Sequence, residues 1–256
     1  MSLRDLVTLV ETLRGPEGCP WDREQSPGSI RAYLVEEAHE LAAALDRGDW
    51  SSIGDELGDL LFQAAFIVRL GEEAGELDLE AVLEAQQRKM VNRHPHVFGG
   101  ETLESPEEVA AAWEQRKIGE GDIRLLDGVP DSLPALVGAY RIGQKAAAVG
   151  FDWPDAEGPR AKISEELEEL DRELAEEDLD LRRVSQELGD LLFALANLGR
   201  HLGIDPEASL ARANRRFRRR FSAVEAALEE RDRTVEEADL DELEELWQRA
   251  KESRPE

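Results

Sequence analysis

The sequence predicts an all-α fold made of two tandem copies of one helical bundle, and three observations carry that expectation. The string ELGDLLF occurs twice, at 56–62 and at 187–193; a seven-residue identity inside one chain marks a duplicated unit. Ala, Leu, Glu and Arg dominate while aromatic residues make up only 5%, a balance that favours helix over strand. Apolar residues also recur at three- and four-residue spacing along nearly the whole chain, the period of amphipathic helices.

Read in order, residues 3–14 form a first helix, ended by the Gly- and Pro-rich turn GPEGCPWD. Helices follow at about 28–47 and 51–74, divided by RGDW, and another at about 78–93 that Pro95 stops. A short helix is expected from Ser105, an N-cap with Glu108 three residues on. The stretch 119–134 has the Gly, Pro and Asp density of a linker, which puts the first domain at 1–118 and the second at 135–256. The second domain repeats the plan: a helix at about 135–149, the turn GFDWPDAEGP, then helices at about 158–177, 180–203, 206–231 and 239–252. Glu36 aligns with Glu165 and Glu56 with Glu187, so two residues separate the spacing of the copies. Trp113 and Lys117 likewise match Trp247 and Lys251. Each copy reads as a small antiparallel bundle.

The 256 residues carry a formal charge of −27. Such a chain repels nucleic acid and anionic membranes as a whole, so neither is an expected partner, and a phosphate ligand needs a local cationic pocket or metal ions. The single cysteine, Cys19, excludes an internal disulfide framework and fits a reducing cytoplasm. The opening MSLRDLVTLVETLRG lacks the apolar core of a signal peptide, and the longest apolar stretch, LLFQAAFIV, is too short to span a bilayer. The expectation is a soluble, cytoplasmic protein.

Upstream of each ELGDLLF lies a second acidic cluster, EEAHE (Glu36, Glu37, Glu40) and EELEE (Glu165, Glu166, Glu169). Residues three apart share a helix face, so Glu166 stacks with Glu169, and Glu187 with Asp190 on the next helix. Glu37 and Glu40, with Glu56 and Asp59, do the same in the first copy. Antiparallel packing would bring four carboxylates together. The plainer reading is a solvated acidic face. Against it, Leu188, Leu191, Leu192 and Leu195 place an apolar stripe over the Glu187–Asp190 side, and carboxylates beside a core resist desolvation unless cations compensate them. An all-oxygen donor set favours Mg²⁺, or Mn²⁺. Iron is disfavoured: Glu36-x-x-His39 supplies one di-iron motif, but the matching position in the second copy is Glu168. His94 and His96 offer half a zinc site without clustered partners, and read better as a capped helix end.

EExxE followed by ExxD on adjacent helices, together with CPWDREQS, ELGDLLF and RHPHVF, resembles the MazG family of nucleoside triphosphate pyrophosphohydrolases, within the all-α nucleotide pyrophosphatases. The similarity extends over nearly the whole chain, tandem arrangement included. It implies a helical homodimer that cleaves nucleoside triphosphates to monophosphate and pyrophosphate with Mg²⁺. By resemblance, Glu166, Glu169, Glu187 and Asp190 are the ligands, and Glu165 orients or deprotonates the attacking water.

The copies differ where phosphate binding is decided. Lys162, one turn before Glu166, is matched by Tyr33, and Arg183, one turn before Glu187, by Ser52. The second copy adds RANRRFRRRF, whose Arg216 and Arg220 are expected inward and whose other arginines are expected paired or solvated; the first copy offers Lys89 and Arg93. In related two-domain proteins the C-terminal copy hydrolyses, with Lys usual where Arg216 stands. The resemblance also gives Trp247 a stacking role on base or ribose; packing is the alternative. Broad triphosphate use, in nucleotide-pool housekeeping or regulation, is the leading expectation. A non-catalytic helical dimer that binds nucleotide or a regulatory protein is the competing one.

Overall fold

The computed structural model describes residues 2–105 and 124–252, and between them 108, 109, 112, 113 and 116. The helix expected from Ser105, with Lys117, and the first part of the expected linker lie largely outside the described residues. Among the described residues there are helices and turns and no strand. The chain divides into two compact units, Met1–Leu103 and Glu104–Glu256. The described part of the stretch read as a linker belongs to the second.

The first unit holds α1 (Leu3–Arg14), α2 (Pro20–Glu24), α3 (Pro27–Arg47), α4 (Trp50–Ala74), α5 (Leu79–Arg93) and α6 (Pro95–Phe98). Ser2 caps α1, accepting from the Asp5 amide while Asp5 accepts from the Ser2 amide. The turn before α3 contains the helical turn α2, which starts at Pro20, a residue suited to the first helical position. Between α3 and α4 the chain reverses in two residues: Gly48 takes the left-handed conformation (φ 69°) and Asp49 caps α4. So short a connection makes α3 and α4 an antiparallel hairpin. Their inner faces, with α1 and α5, enclose a core of Val7, Val10, Ile30, Ala65, Phe66 and Leu79. Arg14 ties this core to the α2 loop. It bonds Glu73, donates to the carbonyls of Asp22 and Gln25, and lies over the Phe66 ring. His94 closes α5 and opens α6, its Nδ1 2.6 Å from the Met90 carbonyl oxygen.

The second unit holds α7 (Ala135–Ala148), α8 (Glu157–Leu174), α9 (Leu181–His201), α10 (Pro206–Glu229), a 3₁₀ turn at Val235–Glu237 and α11 (Leu240–Glu252). Asp180 caps α9 as Asp49 caps α4, and α8 and α9 form the matching hairpin. A core of Val224, Leu228 and Leu246 joins α10 to α11. The stripe expected to put Glu187 and Asp190 beside a core does not do so within one chain: Leu188, Leu192 and Leu195 are all exposed. The buried positions of α9 are Ala194, Ala196 and Asn197 instead. The helix face that meets α7 and α8 is thus the one with small side chains, which allow close approach, while the leucines point away.

Phe66 is 1% exposed at the centre of the first unit. Phe66→Ala should cost that unit about 3–5 kcal/mol and remove the surface over which Arg14 lies. Denaturation followed by circular dichroism should show an earlier transition for the first unit alone. An unchanged first transition would contradict this placement of the core.

Candidate active site

The second hairpin gathers carboxylates where α8 and α9 face each other. Oxygens of Glu166, Glu169 and Glu187 all lie within 4.8 Å of one another, with Glu166 buried and the other two half-buried. In the first hairpin the corresponding group is Glu37, Glu56 and Asp59, also within 4.8 Å. Asp190 in the second and Glu40 in the first are exposed and stand outside these groups of three. Asp190 nonetheless lines a cavity of about 160 Å³ together with Glu166, Lys162, Trp153, Phe193 and Asn197.

These groups resist ionising together. Burial, and then the charges of Glu169, Asp190 and Glu166, push the Glu187 carboxyl above its usual value. Burial and the charges of Asp59, Glu40 and Glu56 do the same to Glu37, and burial followed by Glu40 and Asp59 to Glu56. An all-oxygen set whose members repel one another fits a hard divalent cation, which supplies the missing positive charge.

Among the described residues, only the second site brings a lysine to its acids. Lys162 Nζ lies 2.5 Å from Glu166 and 3.0 Å from Glu165, with the Glu166 side chain 5% exposed. Hydrogen bonds to Glu166 and then Glu165 hold the Lys162 proton more tightly than usual. At the matching position Tyr33 packs edge-on against Trp21, ring centroids 5.8 Å apart. Ser52, opposite Arg183 in the alignment, donates to Asp49. Arg183 is itself exposed and reaches Glu173 on α8 at 3.8 Å and Asp180 at 3.9 Å. On α10, Arg216 and Arg220 are half-buried, while Arg212, Arg215, Arg218 and Arg219 are exposed. Trp247 is half-buried with its ring 4.9 Å from Phe217, so it takes part in the packing of α10 on α11.

Several cavity residues escaped the sequence reading. Asn197 is a polar residue inside the apolar run FALANL, and its burial could have been suspected from that alone. Trp153 sits in the turn GFDWPDAEGP, where no local pattern says which way an aromatic ring folds.

Residues 25–98 match a family model described as the MazG nucleotide pyrophosphohydrolase domain, and residues 152–217 one described as phosphoribosyl-ATP pyrophosphohydrolase. A nucleoside triphosphate pyrophosphohydrolase of Escherichia coli (strain K12) is 41% identical over 96% of this chain and 95% of its own length. The nucleoside triphosphate pyrophosphohydrolase/pyrophosphatase MazG of Thermotoga maritima is 40% identical over 96% and 94%. A nucleoside triphosphate pyrophosphohydrolase of Mycolicibacterium smegmatis is 36% identical over 58% of this chain and 47% of its own.

Glu37, Glu56 and Glu187 bind protons more tightly in the folded chain than in the unfolded one, where glutamate titrates near about 4.3. That preference stabilises the fold below the unfolded value and is lost as pH rises through the higher folded value. In EDTA, these groups should therefore raise Tm as pH falls from neutrality toward the unfolded glutamate value of about 4.3. Glu187→Gln should be the more stable protein at the upper pH and have the flatter profile. Parallel melting profiles for the two proteins would contradict the repulsion.

Proposed function

Because the chain belongs to the MazG nucleotide pyrophosphohydrolase family, we propose that its second unit hydrolyses nucleoside triphosphates between the α- and β-phosphates. The products are nucleoside monophosphate and pyrophosphate. The observation that carries this reading is the buried Glu166, ion-paired to Lys162 within a group of mutually repelling carboxylates. Glu166, Glu169, Glu187 and Asp190 would hold Mg²⁺, for which Mn²⁺ could substitute. Such a cation would neutralise triphosphate charge, polarise the P–O bonds and lower the pKa of a water. Lys162, leaving Glu165 and Glu166, donates to a phosphate oxygen. Glu165, exposed beside Glu166, then has a free carboxylate to orient the water and accept its proton. Arg183, Arg216 and Arg220 supply further positive charge, and Trp247 stacks on base or ribose.

The first unit keeps Glu37, Glu40, Glu56 and Asp59 but has Tyr33 and Ser52 where the second has Lys162 and Arg183. Metal binding without a cation at these two positions leaves it structural or weakly active. Among the described residues no base-reading set of polar groups accompanies the second site, which fits a site that accepts several nucleobases, as suits nucleotide-pool housekeeping or regulation in the cytoplasm. The match of residues 152–217 to phosphoribosyl-ATP pyrophosphohydrolase favours a second reading, in which the preferred substrate is a phosphoribosylated nucleotide. Chromatography of products from a panel containing the common triphosphates and phosphoribosyl-ATP, with Mg²⁺ or with excess EDTA, distinguishes these readings. Nucleoside diphosphate and orthophosphate as first products, or full activity in EDTA, would overturn the proposal. Nucleotide binding without any product would favour a non-catalytic binding protein.

The working form is a homodimer. Leu57 and Leu61 on α4, and Leu188, Leu192 and Leu195 on α9, are exposed large apolar residues along the outer sides of the two hairpins, and association would remove them from water. Light scattering at micromolar concentration should give about twice the chain mass of 28.6 kDa. A mass equal to one chain would refute the dimer.

Glu169→Gln and Asp190→Asn should lower kcat at least about a hundredfold, whereas Glu40→Gln and Asp59→Asn should retain most of the rate. Lys162→Ala and Arg220→Ala should lower kcat/KM with the circular dichroism spectrum unchanged. Equal losses from the two sets of carboxylate variants would mean that both units turn over.

A further inference from the structure

We infer that Asp152 is a positioning residue: ion-paired to Arg200 and in contact with His201 Nε2, it holds Trp153 in the wall of the carboxylate cavity, which keeps Glu166 shielded from solvent. The inference rests on the hydrolytic reading of that cavity and not on which nucleotide enters it.

Asp152 lies in the turn between α7 and α8, and its carboxylate has three partners. Arg200 on α9 donates to both oxygens, at 3.0 Å and 2.5 Å, and His201 Nε2 lies 2.9 Å from Oδ1. The third partner is the next residue in the chain: the Trp153 amide donates to Asp152 Oδ1 at 2.9 Å. The same oxygen that fastens the turn to α9 therefore also fixes the backbone of Trp153. Arg200 is held in turn by Asn197, whose Oδ1 accepts from its Nε at 2.7 Å. The Arg200 and His201 side chains are only 11% and 8% exposed and that of Asp152 is 25% exposed, so the anchor is largely withdrawn from water. Burial disfavours the charged form of Asp152, but Arg200 and then His201 outweigh it and hold the carboxyl below its usual range.

From this anchor the Trp153 ring folds over the start of α8. A Cβ on Gly158 would run into Trp153, so the missing side chain there is what lets the indole approach the helix closely. The ring then shares the cavity wall with Pro159, Lys162 and Glu166. Glu165 has a side chain 57% exposed, whereas Glu166, its neighbour on the walled side, is at 5%. An apolar wall lowers the local dielectric and strengthens the interactions of Glu166 and Lys162 with whatever charge enters.

The first unit reaches a similar arrangement by other means. There Arg14 holds the corresponding turn through the backbone carbonyls of Asp22 and Gln25, and Trp21 meets Tyr33, the residue aligned with Lys162. The two clamps share an arginine and no acceptor chemistry. What recurs is a tryptophan held beside that position of the hairpin.

The test is a double-mutant cycle of Asp152→Asn, Trp153→Ala and the pair, with Trp153→Phe alongside. It is read in kcat and KM for pyrophosphate release and, without nucleotide, in Mn²⁺ affinity by calorimetry. Each single change should lower kcat/KM by about tenfold or more, and the pair should be no worse than Trp153→Ala alone, because Asp152 acts through the ring. Trp153→Phe should stay within about threefold of the wild type. Independent, multiplying losses, or a Trp153→Ala enzyme at the wild-type rate, would overturn the inference. Should Asp152→Asn fail to fold, Arg200→Lys takes its place in the cycle, keeping the charge while losing the two-pronged bond. If the wild type releases no pyrophosphate from any triphosphate, the hydrolytic reading fails separately. The cycle in Mn²⁺ affinity then decides the positioning role, with coupled losses upholding it and independent or absent losses overturning it.

Discussion

Carboxylates crowded between two helices repel one another, and much of what is distinctive in this protein is an answer to that repulsion. In the second hairpin part of the answer is within the chain. Lys162 lies against Glu166, the most buried acid of its group, and Glu165 shares the ammonium. The first hairpin has no lysine at that position, and burial and neighbouring charges make Glu37 and Glu56, like Glu187 in the second, reluctant to ionise. A fold that spends stability on holding like charges together is poised to bind a compensating cation, since the ion gains in affinity what the acids lose in mutual repulsion.

Why the helices can bring the acids together follows from the opposite side of each hairpin. Gly48 lets the chain reverse in two residues, and Asp49 and Asp180 cap the helices that carry the ExxD pairs. On α9 the face turned inward presents Ala194, Ala196 and Asn197, so the backbones approach closely and the carboxylates, rather than bulky side chains, fill the space ahead of them. The leucines displaced to the outside of α9 are a consequence of the same choice. A helix that gives one face to small residues and acids has to place its large apolar residues elsewhere.

The two units also show how duplication separates a scaffold from its chemistry. Both retain the hairpin, the capped second helix, the three-carboxylate group and a tryptophan-bearing turn tied down by an arginine. They part where charge is concerned: Tyr33 against Lys162, Ser52 against Arg183. In the first unit Arg14 is absorbed by Glu73, two backbone carbonyls and the face of Phe66, all structural partners. Lys162 and Arg183 of the second unit are instead paired with carboxylates.

The sequence by itself determined the helical class, the duplication and the identity of the acidic positions, because each is a matter of local period and composition. Glu166 and Glu169 share a face wherever that helix lies, and ELGDLLF announces its repeat without any folding. Helix bounds were legible to within a few residues for the same reason, since Ser2, Asp49 and Asp180 cap through bonds to atoms two or three residues away. What only the tertiary structure decided were the relations between elements. It drew Glu187, and not Asp190, into the group with Glu166 and Glu169. It also turned Leu188, Leu192 and Leu195 outward although their spacing reads as a core stripe, because amphipathic period gives the existence of an apolar face but not what covers it. And it closed Asp152 on Arg200 across a sequence separation of 48 residues, which sets Trp153 among the residues lining the cavity of Glu166. A turn with no period of its own takes its conformation from partners that the chain supplies only once it has folded.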